Sequence, residues 1–311
     1  FFVQMADPQF GQFAQYSGLS DSEIERYKEK DMTIKKARKI TGFADETRLY
    51  EEAIEVVNRL RPDLVLVCGD LVHDSSDELQ IREIKRITAK LHPEIPIHWV
   101  SGNHDVGSIP TKNSLERYRN RFGQDNYSFS HKGCSFIIIN SSVCFDPSSV
   151  PDEWDSIITF LKRALQNAAD NNSRHIMLFM HHPLFLTDPE AVEDTPFVMI
   201  PKERRDIIMD LLSSYGVSAV FAGHWHRNVY GSFGENIEMI TSGPVGYPLG
   251  DDPSGFRIVQ VLEERIEHQK DILEFYSNRR YGEEELALAT CLLDKVTDED
   301  LVFIYLYLVS S

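Results

Sequence analysis

Seven residues able to ligate a metal or pass a proton, Asp7, Asp70, Asn103, His104, His181, His224 and His226, close successive apolar runs of the chain. They occur as Asp7-Pro8, Gly69-Asp70, Gly102-Asn103-His104-Asp105, His181-His182-Pro183 and Gly223-His224-Trp225-His226. Open α/β sheets place their sites where strands end, so residues at several strand ends can assemble into one centre. Asp7 and Asp70 are hard oxygen donors, Asn103 adds a neutral carbonyl oxygen, and the imidazoles suit Mn, Fe, Zn or Ni. In Gly-His-Trp-His, alternation along an extended chain would turn both imidazoles to one side, and Gly223 would let backbone come close to the centre. Asp70, following a glycine at a tight strand end, can bridge two ions, with a bridging solvent completing the pair.

Such a centre suits phosphate esters. Two divalent ions, less the charges of Asp7, Asp70 and a bridging hydroxide, leave a net positive site. Paired ions lie about 3.5 to 4 Å apart and draw the pKa of bound water toward ~7, so hydroxide is available at neutral pH. It would attack phosphorus in line while the ions spread the developing charge. His104 directly follows Asn103, so it lies beside the ions with its side chain turned toward the leaving group, and it is assigned general acid. Asp105 is read as the hydrogen-bond partner that orients either His104 or its loop.

The elements that must position these groups are legible as short apolar strands at 1–6, 64–68, 95–100, 135–139, 175–180 and 217–222. Helical periodicity occupies 46–60, 77–91, 152–169 and 202–214 between them. This alternation indicates the α/β class. After His226 the pattern turns more β-like, at 237–241, 256–262 and 272–276, which adds strands or a second sheet. Residues 12–46 read as a charged helical insertion in which Arg26, Lys28, Lys30, Lys35, Lys36, Arg38 and Lys39 alternate with acids. That segment is either a solvated face or a lid that draws phosphate to its basic side chains.

Composition narrows the alternatives. With 311 residues and 42% hydrophobic content, the chain can bury one large core, and one domain is expected. A formal net charge of -17 repels a polyphosphate backbone, so no nucleic acid partner is expected. Cys68, Cys134, Cys144 and Cys291 lack zinc or disulfide spacing and fit a reducing compartment; Cys68 reads as plain core. No apolar stretch reaches the roughly 20 residues of a membrane span, and the C-terminal run 301–309 is expected to be buried. An upstream segment preceding Phe1 is left open, because Phe1 already begins the first strand.

The ordered motifs resemble those of the calcineurin-like metallophosphoesterases over roughly residues 1–276. Asp7-Pro8-Gln9-Phe10-Gly11, Gly223-His224-Trp225-His226-Arg227-Asn228 and Asp252-Pro253-Ser254-Gly255 resemble a branch of cytoplasmic serine/threonine protein phosphatases. The resemblance implies a two-sheet β-sandwich flanked by helices, with 1–280 as the metallophosphoesterase domain and 281–311 a C-terminal extension of open role. It implies one ion on Asp7, Asp70 and His226 and another on Asp70, Asn103, His181 and His224. The general pattern carries a histidine where this chain has Gln9, a weaker ligand; His73, three residues after Asp70, either restores that ligand or merely supports the site. Because His181 matches the family's ligand, His182 reads as a support beside it at the turn at Pro183, and Arg227 and Asn228 either touch substrate or pack the loop after the ligands. His92, His98, His131, His175 and His268 fall outside every motif and read as structural.

A metal-dependent phosphomonoesterase is the leading expectation, with phosphoproteins as substrate on resemblance alone. A phosphodiesterase of small esters, such as a cyclic nucleotide or glycerophosphodiester, and an inactive scaffold on the same fold are the alternatives. Oligomeric state leaves no mark in the sequence.

Overall fold

Uninterrupted apolar runs bounded by Gly, Pro and Asp form strands buried on both faces, and the periodic stretches between them form the covering helices. The computed structural model describes residues 1–191 and 197–272. Its first half runs β1 (Phe2–Met5), α1 (Gln12–Gln15), α2 (Asp21–Lys28), α3 (Ala44–Leu60), β2 (Val65–Cys68), α4 (Glu78–Thr88), β3 (Ile97–Val100), α5 (Asn103–Val106) and α6 (Lys112–Phe122). The second runs β4 (Tyr127–His131), β5 (Cys134–Ile138), α7 (Ser141–Phe145), α8 (Pro151–Asp170), β6 (Ile176–Phe179), α9 (Lys202–Ser214), β7 (Ala219–Ala222), β8 (Val229–Phe233), β9 (Ile237–Thr241), β10 (Gly255–Val261) and β11 (Ile266–Ile272).

Two sheets result, ordered β11-β10-β1-β2-β3 and β4-β5-β6-β7-β9-β8. Strands β1, β2 and β3 are parallel, as are β5, β6, β7 and β9, while antiparallel strands form every edge except that at β3. Period-two alternation sorts the side chains of β1 and β2. Phe2, Leu66 and Cys68 join Phe136, Phe179 and Phe221 in the core between the sheets. Val3, Met5, Val65 and Val67 belong instead to the cluster that includes Leu49, Tyr50, Ala53 and Ile54 of α3. Phe2 meets Phe136, Phe179 and Phe221 edge-on, with ring centroids 5.6, 5.8 and 5.7 Å away, and so locks one sheet onto the other. This is the two-sheet sandwich flanked by helices.

Several expectations need correcting. The insertion is helical at α1, at α2 and where α3 begins at Ala44; residues 32–41 have no regular structure. They are pinned by Thr33 N–H donating to the Leu249 carbonyl (3.0 Å) and Lys35 N–H donating to the Tyr247 hydroxyl (3.3 Å). The strand expected at 272–276 lies, beyond Ile272, outside the described residues; the described strand β11 occupies Ile266–Ile272. Strands β4 and β8 and helices α5, α6 and α7 carry too few apolar residues in phase to stand out. The run 301–309, the extension 281–311 and Cys291 lie outside the described residues. Among the described residues, no helix is long and apolar enough to cross a membrane.

Candidate metal centre

Parallel strands deliver the proposed ligands to one end of the sandwich. Asp7, Asp70, His181 and His224 each come two residues after β1, β2, β6 and β7, and Asn103 opens α5 after β3. The loops clasp one another: Asp7 N–H donates to the Gly69 carbonyl (3.1 Å), Gln9 N–H to the Asp70 carbonyl (2.9 Å), and Gly223 N–H to the His181 carbonyl (3.0 Å). At Gly102 any Cβ would run into the Asp70 carboxylate and backbone nitrogen, so only glycine admits this approach.

Left-handed backbone concentrates here. Asp7 (φ 49°), Gln9 (34°), Asp70 (48°), His224 (71°) and His226 (54°) are five of the ten such non-glycine residues among those described. Each costs on the order of 1–3 kcal/mol and persists only where its surroundings enforce it. The extended chain expected through Gly223-His224-Trp225-His226 is therefore corrected: the segment curls, and curling rather than alternation brings both imidazoles to the centre.

Hydrogen bonds decide which ring nitrogen faces inward. Nδ1 of His181 lies 2.9 Å from the Cys68 carbonyl, Nδ1 of His226 2.6 Å from that of Tyr247, and Nε2 of His224 2.7 Å from that of Phe197. A carbonyl only accepts, so in the neutral rings the opposite nitrogen carries a lone pair. His181 Nε2 then stands 3.1 Å from His224 Nδ1, 3.1 Å from Asn103 Oδ1 and 3.2 Å from Asp70 Oδ2. His226 Nε2 stands 3.3 Å from Asp7 Oδ1. Acceptors so crowded call for a cation, and ligand atoms of Asp70, His181 and His224 all lie within 4.8 Å of one another. Gln9 adds a buried Oε1 with no hydrogen-bond partner among the described residues. The residues present fit a metal centre.

Protonation of the imidazoles can meet part of that demand. Burial opposes the charge on His181, but the Asp70 and Asp7 carboxylates outweigh it and raise its pKa to about 9. Burial opposes the charge on His226 as well, and Asp7 again prevails, raising its pKa. For Asp70 burial favours the neutral acid, yet His181 and His104 hold the carboxyl well below the usual range. Burial and neighbouring His181 lower His224 to about 4. At neutral pH a metal must therefore displace the His181 proton. Affinity is expected to rise about tenfold per pH unit for each proton displaced, up to about pH 9. Calorimetry in buffers of different ionisation enthalpy reads that release directly, and an affinity flat between pH 6 and 8 would contradict it.

His104 stands beside this cluster. Its N–H donates to Asp70 Oδ1 (2.8 Å) and its Nδ1 to the His73 carbonyl (2.7 Å), leaving Nε2 to take up and release a proton. The His73 ring stacks on it at 4.7 Å, while His73 Nδ1 lies 3.4 Å from Gln9 Nε2. Burial and His104 lower the His73 pKa to about 4. Asp105 accepts N–H bonds from Leu71 (3.0 Å) and Gly102 (2.8 Å), so it ties the Asp70 loop to the Asn103 loop rather than holding the His104 ring.

Arg227 and Asn228 are committed to protein partners. Arg227 Nε and Nη2 donate to the Leu249 carbonyl (3.1 and 2.9 Å), and Nη1 pairs with Asp31 (2.9 Å), tying the insertion to the ligand loop. Asn228 Nδ2 donates to Asp252 (2.9 Å), and its Oδ1 accepts from Gly243 N–H (3.2 Å) and Arg257 (3.0 Å). His98 stacks on Phe129 at 3.8 Å and His175 bonds the Leu262 carbonyl at 2.9 Å, both away from the centre. The ring of His182 lies beside the expected ligands, its centroid 4.3 Å from that of His224.

Residues 38–228 match the family model described as calcineurin-like phosphoesterase. This chain belongs to the calcineurin-like phosphoesterases. It is 33% identical to the serine/threonine-protein phosphatase CPPED1 of Danio rerio over 91% of this chain and 88% of that protein. For the Rattus norvegicus protein of the same name the identity is 33%, over 90% and 86%. The fold is shared with a dimetal phosphatase from Danio rerio, at a TM-score of 0.58 and 16% identity, covering 88% of this chain and 96% of that one. Metal-dependent hydrolysis of phosphate esters is the activity of this phosphoesterase.

Proposed function

We propose that this phosphoesterase is a phosphomonoesterase acting on phosphoserine or phosphothreonine in proteins. The observation that carries the reading is His104: its backbone N–H is held on Asp70 Oδ1 and its Nδ1 on the His73 carbonyl, which leaves Nε2 without a partner among the described residues and able to protonate a leaving oxygen. In this reading one ion would be held by Asp7, Asp70 and His226, with Gln9 offering its amide oxygen, and the other by Asp70, Asn103, His181 and His224. Bound ions supply Lewis-acid charge and acidify water. His73 then holds the Gln9 amide and sets the His104 ring instead of ligating. Asp105 keeps the Asp70 and Asn103 loops in register, and His104, protonated at Nε2, gives its proton to the departing serine or threonine oxygen.

Two observations support a protein substrate. The curated relatives bear the name of serine/threonine-protein phosphatase. The segment 33–43 contains Lys35, Lys36, Arg38 and Lys39 and no acid. Lys35 and Arg38 are exposed and have no ion-pair partner among the described residues, and one Tyr247 residue joins this segment to His226. Charge of this sign attracts acidic residues flanking a phosphosite. Free Cys68, Cys134 and Cys144 support a reducing, cytoplasmic setting.

The test compares p-nitrophenyl phosphate, its bis ester and a phosphoserine peptide with manganese-loaded protein. The monoester and peptide are expected to be hydrolysed at least about tenfold faster than the bis ester. A preference for the bis ester makes the protein a phosphodiesterase, and no turnover at full metal content makes it a scaffold.

A further inference from the structure

His182 carries a hydrogen-bond donor that nothing among the described residues uses. The Ser141 hydroxyl, at the start of α7, accepts two backbone N–H groups, from His181 (3.0 Å) and His182 (2.8 Å). Both its lone pairs are then occupied, so its own hydrogen points to the remaining neighbour, Nδ1 of His182 at 3.0 Å. A ring nitrogen that accepts leaves the ring proton on the other one. His182 is thus a neutral imidazole with N–H at Nε2, and that N–H has no partner among the described residues.

Packing holds this ring at the centre. Phe145 stacks on it at 5.0 Å and 13°, and the His224 ring lies 4.3 Å away at 43°. The charges acting on it are those of His224, His181, Asp70 and His104. Neighbouring protein groups at the centre are acceptors or metal donors, whereas the phosphoryl group of a substrate brings acceptor oxygens. His104 and His182 therefore have opposite polarity. A carbonyl fixes Nδ1 of His104 as a donor, leaving Nε2 open to exchange a proton; a hydroxyl fixes Nδ1 of His182 as an acceptor, leaving Nε2 as a standing donor.

We propose that His182 Nε2 donates a hydrogen bond to a nonbridging oxygen of the bound phosphoryl group, with Ser141 as the positioning residue that fixes the tautomer. The proposal rests on the phosphatase reading above. It makes His182 a substrate-binding group beside the metal ligands, not a prop for the turn at Pro183.

Wild type, His182→Phe, His182→Gln and Ser141→Ala are loaded with manganese. Each is assayed for metal content, hydrolysis of p-nitrophenyl phosphate, and inorganic phosphate binding by calorimetry. Phenylalanine preserves the stack on Phe145 and removes the donor, while glutamine keeps an N–H. Losing one hydrogen bond to a charged group is expected to lower kcat/KM and phosphate affinity roughly 10- to 100-fold in His182→Phe. Metal content should stay full, and His182→Gln should recover most of the loss. Ser141→Ala should fall between wild type and His182→Phe, because the ring is then free to change tautomer. Unchanged phosphate affinity in His182→Phe at full metal content overturns the proposal, as does loss of metal in both His182 variants, which would make the residue a support for the ligands. A wild type that binds phosphate but turns over no ester sinks the phosphatase reading instead, and the phosphate affinities still decide the role of His182.

Discussion

Asp70→Asn is expected to lower kcat/KM by at least about a thousandfold and to reduce bound metal in the same preparation. Asp70 stands where the two proposed ion sites meet, with Oδ2 3.2 Å from His181 Nε2 and Oδ1 accepting the His104 N–H at 2.8 Å. Asparagine retains the Oδ1 acceptor and nearly the same shape, so the loop that carries Asn103 and His104 keeps its anchor. What disappears is one negative charge and the second acceptor oxygen. The amide would turn an N–H toward His181, whose raised pKa depends on the Asp70 carboxylate. Metal analysis and a melting curve separate this electrostatic loss from unfolding. Full metal content with activity within tenfold of wild type would remove Asp70 from the centre.

The same residue shows why so much of the site was legible. Strands β2, β6 and β7 are buried on both faces, so each reads as an unbroken apolar run whose end is marked by the first polar residue, and β1 is equally buried but for the polar Gln4 within it. Chemistry-bearing residues at those ends need no knowledge of pairing order to be noticed. Strand β4 is different: its burial alternates between half-buried and exposed, and its serines and histidine hide it among loops. Helix α6 buries only Ser114, Leu115 and Tyr118.

Conformations imposed from far away were not legible. No residue in His224-Trp225-His226 favours left-handed backbone; the curl is enforced by His224 N–H on the Asp7 carboxylate at 3.0 Å, across 217 residues of chain. In the insertion the local signal holds at α2, where Ser20 and Glu23 form a capping box, and fails at 32–41, whose course is set by Leu249 and Tyr247. The polarity of His182 depends likewise on a hydroxyl 41 residues earlier. Spacing identifies donors; only tertiary contacts identify which of their atoms are free.

That distinction makes His104→Asn the more discriminating substitution. Turnover is expected to fall about 100- to 10,000-fold while both ions remain bound. The backbone N–H of residue 104 still reaches Asp70, so the ligand loop survives, and asparagine has no proton to transfer at the position of Nε2. The size of the loss should follow the leaving group. p-Nitrophenolate is a weak base and departs with little protonation, whereas the alkoxide of serine is strongly basic and needs a proton as the bond to phosphorus breaks. The variant should therefore lose more activity on a phosphoserine peptide than on p-nitrophenyl phosphate, by a factor of about ten or more. Equal losses on both esters would mean that His104 binds the phosphoryl group rather than protonating what leaves it, and the His73 carbonyl would then orient a binding residue, not an acid.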